Sequence, residues 1–548
     1  MSNPTTTVKV NVPKRSGFLK SYQNILTGKV GTLIPIFFDE VIPNSKLSVR
    51  MALSANMAPL ATDVMMRCSL RTEAFFVPHR LLCKSYEDWF SQITSVHLDS
   101  LQTSVTVSPV LPTVDPASSS SSSYLGAGSL SDYLGCRVSA EALNAVSGAR
   151  FSALPYLAYH LIWNEWYRRS DIQKSAFFDR ATDYEHVDIS PAYARSTYYN
   201  SGGHFVDPVW NLAYAFADGV ALGSLRQRNF DADYFTVATT SAQAGDAQKV
   251  NIAIPESGDA SFTIAALRAA NSLQLFEERN NLPGDSRFIA QNYARYGANL
   301  NDGVAQRPLC LGTGEFEVYS KGIYQTGADT SSSSQNPFSS IATKYGDAWA
   351  SGSEFIIDNF VANEPGYVFI LASLVPRVNY SSGVSRILTR YTRGFASIVD
   401  MANPLLQNAG NQPIYAYEIA DGSANLDGLN PNNSNPSIFG YAERYADWKT
   451  KIDEVHGLLR QGESLEAFVA QRSVDGAAIG SDFLKIPTNY LDNVTAVVSQ
   501  LSSYGYWLDC FFDYRCSMPL STYSIPSLQD PAYEHGHSIT LKRGGFRF

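Results

Sequence analysis

Little in this sequence points to catalysis. No run of about eighteen apolar residues occurs along its 548 positions, so no membrane-crossing helix is expected. The opening MSNPTTTVKV has no apolar signal core, so synthesis in a cytosol is expected. Cysteine is scarce: the six at 68, 83, 136, 310, 510 and 516 form no C-x-x-C and join no histidine at zinc spacing. They read as free thiols, mostly buried as small apolar groups. Cys510 and Cys516 share one side of a strand but lie too far apart along it to bridge. There is no phosphate-cradling G-x-x-x-x-G-K-[ST], no H-E-x-x-H and no G-x-S-x-G. Gly312-Thr313-Gly314 continues into Glu315-Phe316-Glu317 and lacks the third glycine of a dinucleotide loop. His535 and His537, with Glu534 beside them, are too few ligands for a metal. No cofactor and no enzyme activity are expected. Triads are recognised in space rather than along the chain, so the missing motifs leave an enzyme reading without a named residue.

Charge is also sparse. Charged residues make up 17%, against a usual ~25%, which suits a chain that buries much of its surface against partners. The net charge of -9 argues against coating nucleic acid over the whole surface, though not against a local basic patch.

What the sequence does contain is strand pattern. The chain is organised around Gly31 to Phe90. Leu47, Val49, Met51 and Leu53 alternate with Ser48, Arg50 and Ala52, the period of a half-buried strand. The preceding piece is apolar on both sides, with Ile34, Ile36, Phe38 and Ile42 against Leu33, Phe37 and Val41, and suits a strand covered on both faces. A third run ends in Phe75-Phe76-Val77 and is stopped by Pro78, which has no N–H for a ladder. Leu81 to Phe90 reads as a short helix. Near the other end, Tyr506, Leu508, Cys510, Phe512, Tyr514 and Cys516 face one way, and Trp507, Asp509, Phe511, Asp513 and Arg515 the other.

Between these ends, residues 100–150 read as a flexible insertion around the serine run Ala117–Ser123. Residues 153–170 form the strongest helix, apolar nearly all round and therefore buried, with Arg168 and Arg169 in its last turn. His160 on it is expected to be a packed core histidine. A short helix is expected near Trp210–Ala217, a strand near Val250–Ile254, and helices over Phe262–Arg279 and Ser286–Tyr296. Phe355–Val361 and Tyr367–Val375 are strands separated by Asn363-Glu364-Pro365-Gly366, a hairpin-type turn. Residues 403–437, rich in Asn, Gly and Pro, read as a long surface loop. These elements suit one β-sandwich with large insertions.

Several segments are idiosyncratic. They are Leu33-Ile34-Pro35, Asp39-Glu40-Val41-Ile42-Pro43, Phe75 through Leu82, Ile162-Trp163-Asn164-Glu165-Trp166-Tyr167-Arg168 and Asp233-Tyr234-Phe235-Thr236. Leu267 and Leu275 before Glu277-Glu278-Arg279, Gln306-Arg307-Pro308-Leu309 with Leu311-Gly312, and Phe439-Gly440-Tyr441-Ala442-Glu443-Arg444-Tyr445 continue the series, as does Met518-Pro519-Leu520 through Leu528. From about Val12 to Leu528 the chain thus resembles the major capsid proteins of the tailless single-stranded DNA phages (Microviridae), nearer the gokushovirus branch. The resemblance implies a mainly β fold: an eight-stranded antiparallel jelly-roll with large loop and helical insertions. It implies a single capsid domain over 31–528, with a largely helical insertion region over 153–300, flanked by a basic arm (1–30) and a basic tail (529–548). It also implies assembly with copies of itself into a T=1 icosahedral shell, found in the virion, around circular single-stranded DNA. The partners so implied are the genome, a small basic DNA-packaging protein, a minor or pilot capsid protein and a host surface receptor, without membrane insertion. The chain departs from the family at Asn363–Gly366, at Ser527 in place of glycine, and in the tail. Its connection from Thr236 to Phe262 is short while Asp171–Asp231 is long, so a threefold protrusion would be built from 171–231.

Two basic-aromatic pieces offer contacts to DNA: Lys14, Arg15 and Lys20 near the start, and Lys542, Arg543 and Arg547 at the end. Either they touch nucleic acid or a neighbouring subunit, or they are solvated chain ends. The alternative from another class is a carbohydrate-binding β-sandwich or adhesin with an exposed aromatic platform, and a glycoside hydrolase on a β-scaffold comes third.

Overall fold

The structure, a computed structural model, describes residues 7–12, 15–83, 86–90, 95–98, 103–106, 111–116, 124–144, 146, 148–177, 209–241, 307–324, 344–390, 411–430, 432–433, 435–443, 445–472, 474, 478–496, 505–520 and 537–542. Nine strands carry the body: β1 (Ser16–Leu19), β2 (Tyr22–Gly28), β3 (Ile34–Val41), β4 (Ser45–Met57), β5 (Cys68–Pro78), β6 (Leu309–Tyr324), β7 (Lys344–Ala362), β8 (Gly366–Pro376) and β9 (Tyr506–Met518). They form one curled sheet in which every pairing is antiparallel. Strands β1 and β2 pair with successive halves of the same edge of β9, so they are one strand interrupted at Lys20-Ser21. The order is then eight lanes: β1/β2, β9, β4, β7, β6, β5, β8, β3.

The curl makes two layers. Residues 309–318 of β6 pair with β5, and 319–324 pair with β7, so β6 is the corner where the sheet folds over. One layer is β1/β2, β9, β4 and β7, and the other is β3, β8, β5 and the first part of β6. Along the chain, strands alternate between layers except around β6, which starts in the layer of β5 and ends in the layer of β7; this is the jelly-roll arrangement. The open edges meet where the Asn24 side-chain amide donates to the Ile36 carbonyl at 2.7 Å. Phe37 of β3 lies 5.2 Å from Phe512 and 5.3 Å from Tyr514 of β9, so rings also fasten that seam.

The two layers have different sequence patterns for a physical reason. Strands β4 and β9 alternate buried and exposed residues along nearly their whole length, because one side faces the other layer and one side is bare. Strand β8, Gly366–Pro376, is buried at every position, and β3 is buried from Ile34 to Phe37. The outer side of that second layer is covered by helix α1 (Leu154–Ile162) and its surroundings. Leu33, Phe75, Phe369 and Leu371 share one cluster with Leu154, Leu157, Leu161 and Trp163 of that insertion.

Several expectations are corrected. The 153–170 helix is α-helical only to Ile162 and continues as a π-turn, Trp163–Tyr167, closed by the Arg168 N–H donating to Trp163 O. Arg168 is extended, and Arg169 instead donates to the carbonyls of Val237 and Ala238 and pairs with Asp171 at 2.8 Å. Their cations therefore serve loops rather than the helix dipole. Trp210–Ala217 is not a helix: Val209–Asn211 is a strand parallel to Thr113–Asp115, and Trp210, Leu212 and Phe216 are buried around the exposed Tyr214. Asn363–Gly366 closes no hairpin, since β7 pairs with β4 and β6 while β8 pairs with β3 and β5. It is a crossover between layers, and Gly366 is required because a Cβ there would crowd Val77 O and the Phe76 ring.

Residues 403–437 are not a surface loop throughout. Gln412–Tyr415 pairs with Ile438–Ala442, and Ile414, Ala416 and Ile419 are fully buried. Within the arm, Ser16–Leu19 and Tyr22–Gly28 are structured by edge pairing with β9. Leu81–Phe90 is a 3-10 turn, His79–Leu81, followed by a short helix, Tyr86–Phe90. The serine run, Val250–Ile254, Phe262–Arg279 and Ser286–Tyr296 lie outside the described residues. Of 171–231, the described parts 171–177 and 209–231 pack inward, with Ala176, Trp210, Leu222 and Phe230 buried.

Candidate nucleic-acid interface

The bare side of the first layer is the candidate surface. It exists because β9 and β4 alternate: Tyr506, Leu508, Cys510, Phe512, Tyr514 and Cys516 fill the core and force Trp507, Asp509, Phe511, Asp513 and Arg515 outward. Trp507 is 44% and Phe511 50% exposed. Four residues apart on one strand, they stand about 14 Å apart at a rise of ~3.4 Å per residue. Register sets their neighbours. Trp507 lies between Thr27 and Asn56, Phe511 between Gln23 and Ala52, and Asp513 beside Arg50. Arg50 in turn faces Phe355 of β7, 60% exposed, with the guanidinium 5.4 Å from the ring centroid. Ile25 and Leu19 add exposed apolar area on the β1/β2 edge. Small Ala52, Ser54, Ser351 and Ser353 leave hollows between the rings.

The two acids of β9 on this face are held internally. Arg515 donates to Asp513 at 2.8 Å, Ser21 Oγ donates to the same carboxylate, and together they hold Asp513 below the usual carboxylate range. Gln23 donates to Asp509 at 2.7 Å. Lys46, Arg50 and Arg515 stand with Asp509 and Asp513 on β4 and β9, and β7 adds Asp347 and the exposed Asp358. The result is a sheet face of uncovered rings with cations and carboxylates among them.

The basic residues named from sequence are dispersed. Lys20 is tied down: its ammonium is 2.6 Å from Asp39 and 5.0 Å from the Tyr514 ring centroid, and Tyr514 Oη donates to the same carboxylate at 2.8 Å. Burial and the Asp39 charge push the Tyr514 phenol upward. Arg15 is exposed and donates to Asn44 Oδ1. Lys542 ends the strand His537–Lys542, which pairs antiparallel with Thr7–Val12. In that ribbon Val12, three residues before Arg15, faces His537, whereas Lys542 faces Thr7. Six paired residues separate these two ends by about 17 Å. The ribbon thus sets Lys542 at the end away from Val12. Lys14, Arg543 and Arg547 lie outside the described residues.

Sequence reasoning missed Lys46, Arg50, Arg515, Trp507, Phe511 and Phe355. The signal was present, because the outward half of the 506–516 alternation carries two aromatics and an arginine, but it was treated only as the solvent side of a strand. The idiosyncratic segments are framework instead. Trp166 Nε1 donates to Pro308 O at 2.9 Å and Arg307 lies 4.7 Å from the Trp166 ring centroid, so two of these segments meet. Asp233 accepts from the N–H groups of Phe235 and Thr236 and from Tyr380 Oη at 2.7 Å. His160 is fully buried, as expected. Among the described residues no group of His, Cys, Asp and Glu is arranged to hold a metal, and no helix is long and apolar enough to cross a membrane.

Residues 6–528 match the phage family described as capsid protein (F protein). Capsid protein VP1 of Chlamydia phage 1 is 27% identical over 96% of this chain and 98% of its own length. Capsid protein VP1 of Bdellovibrio phage phiMH2K is 25% identical, covering 94% and 95%. Capsid protein VP1 of Spiroplasma virus 4 is 24% identical, covering 95% and 96%.

Proposed function

This chain belongs to the phage capsid protein (F protein) family, and on that premise we propose that it is the subunit of a T=1 icosahedral shell enclosing circular single-stranded DNA. Membership makes it a structural protein of the virion that assembles with itself, and its chemistry is association by mass action rather than catalysis. Symmetry closes the assembly, each subunit offering the same edges to its neighbours.

The observation that carries the genome side of this reading is the asymmetry of the two layers. The β3/β8/β5 layer is covered by the α1 insertion, while the β2/β9/β4/β7 layer presents Trp507, Phe511 and Phe355 among Arg50, Arg515 and Lys46. Unpaired bases stack on exposed rings without sequence preference while cations meet phosphates, which is what a shell around an arbitrary single strand needs. The bare layer forms the inner wall. With a net charge of -9, the subunits neutralise little of the genome, so a small basic packaging protein, with a minor or pilot capsid protein, completes the particle. Synthesis takes place in the cytoplasm of a bacterial host, and a receptor on its surface meets the opposite, insertion-covered side.

The adhesin alternative would use the same rings as a sugar platform. The family match over 6–528 favours the shell. The test is to produce the full chain with its phage's other structural proteins and circular single-stranded DNA, then measure nuclease-protected DNA in sedimented particles. Closed particles holding protected DNA are expected. A monomer that ignores DNA and binds glycans would replace this reading with the adhesin.

A further inference from the structure

Strand register sets further rings beside Trp507. Asn56 of β4 pairs with Trp507 of β9 on one side and with Trp349 of β7 on the other, and Trp349 pairs in turn with Tyr319 of β6. Residues directly opposite one another in neighbouring strands share a side of the sheet, so Trp507, Asn56, Trp349 and Tyr319 form one row across four strands. Their chain neighbours Leu508, Ala55, Ala348 and Val318 are buried, which fixes the row on the bare side of the layer. Tyr319 is 55% exposed, Asn56 is exposed and Trp349 is half-buried. At a strand spacing of ~4.8 Å, Trp349 stands about 10 Å from Trp507, with Tyr319 about 5 Å beyond it. Charges beside the row offset one another: the exposed Lys321 lies opposite Asp347, two residues past Tyr319, and Asp509 lies two residues past Trp507. Attraction for phosphate is therefore weak here, and the rings are what the row offers a ligand.

We propose that this row binds unstacked bases of a thymine-rich single strand that crosses the sheet from β9 to β6, a proposal that rests on this layer facing the genome. Bases stacked in a strand repeat every ~3.4 Å, so a strand must open its own stack to lay bases against both Trp507 and Trp349. A duplex keeps its bases covered on both faces and paired at their edges, and gains nothing from the row. Each base that stacks on a ring recovers the cost of opening, whatever its identity. The cost itself depends on the base: runs of adenine hold their stack more strongly than runs of thymine, so thymine is favoured. The Asn56 amide, placed between the two tryptophans, offers a donor and an acceptor to base edges.

Fluorescence anisotropy of labelled oligo-dT and oligo-dA titrated with the full chain tests this, with a duplex of the same length in a third arm and maltohexaose as a competitor. Oligo-dT should bind roughly threefold or more tighter than oligo-dA, and the duplex more weakly than either. Tyr319→Ala should weaken oligo-dT binding about tenfold, while Tyr319→Phe, which keeps the ring, should leave it unchanged. Trp349→Ala should weaken it as much; should that variant fail to fold, the exposed Tyr319 pair decides. Wild-type affinity in Tyr319→Ala, with affinity lost in Phe511→Ala, would keep the genome face and overturn the row. Equal affinities for oligo-dT and oligo-dA would overturn the base preference. No binding of any DNA would overturn both the row and the genome face. Displacement of oligo-dT by maltohexaose would assign the rings to sugar and overturn the proposal.

Discussion

Phe511 and Phe512 are adjacent on β9, and their side chains point to opposite sides of the same layer. Replacing each in turn by alanine separates the fold from the proposed interface. Phe512 is fully buried, 5.2 Å from Phe37 and 5.3 Å from Tyr22, at the seam where the sheet closes. Truncating a buried phenylalanine costs about 3–5 kcal/mol, and losing two ring pairs keeps it near the upper end, about 4–5 kcal/mol. In urea, with a slope of roughly 3–4 kcal/mol/M for a chain of this size, the midpoint should fall by about 1 M. Phe511 is half-exposed, and its removal should change stability by no more than about 0.5 kcal/mol. Its effect should appear on DNA. Base–aromatic stacking contributes about 1–3 kcal/mol per base, so affinity for an oligo-dT strand should fall roughly tenfold or more. Urea denaturation followed by circular dichroism reads the first effect. Quenching of tryptophan emission, with Trp507 in the same row, reads the second. Wild-type DNA affinity in Phe511→Ala, or equal loss of stability in both variants, would refute the division of β9 into a core side and a binding side.

Further expectations follow from single sites. Gly312 sits at the bulge of β6, where a Cβ would overlap the Ile356 carbonyl oxygen, so Gly312→Ala should destabilise the subunit by about 2 kcal/mol or more in the same denaturation assay. Burial lowers the His79 pKa from 6.5 to about 4. The unfolded chain therefore takes up a proton below pH 6.5 that the folded chain refuses until about pH 4. Stability is full above pH 6.5 and falls across that window by of order 2–3 kcal/mol, and His79→Gln should flatten part of the fall, the rest belonging to His160, which is shifted the same way. Burial pushes the Cys68 and Cys510 thiols up to about 12, so iodoacetamide at pH 8 should spare both in the folded subunit and label all six cysteines in urea. Removing Arg543–Phe548 leaves the Thr7–Val12 ribbon pairing intact and should lower the DNA content of particles more than the yield of folded subunit. Normal packaging by that truncation would clear the tail of a role.

The layered fold was legible wherever one side of a strand is bare. Strands β4 and β9 announce themselves by alternation, and β3 and β8 by unbroken apolar runs that only a doubly covered strand can carry. Connectivity was less legible. Asn363–Gly366 has the composition of a hairpin turn, and nothing local tells the chain that β8 leaves for the other layer; that is decided by the pairing of β8 with β5. The arm was missed because its edge strand carries Leu19 and Ile25 outward and only Phe18 and Leu26 toward the core, with polar residues between them, a pattern that pairing with β9 tolerates and periodicity does not flag. The same limit hid the interface. Arg50, Phe355 and Phe511 lie far apart in sequence and become one surface only through the β7–β4–β9 register. The basic ends stood out in sequence because charge is visible without a fold. Lys20 shows how that misleads, since its charge is spent on Asp39 and Tyr514.

The central claim is that the bare layer lines a closed shell and meets the genome. Electron cryomicroscopy of DNA-filled particles made from the full chain and its phage partners tests it most directly. The account predicts T=1 particles with the β2/β9/β4/β7 layer on the inner wall and ordered nucleotide density against Trp507, Phe511 and Phe355. Particles in which that layer faces the outside, with those rings in solvent and the α1 insertion toward the DNA, would contradict it.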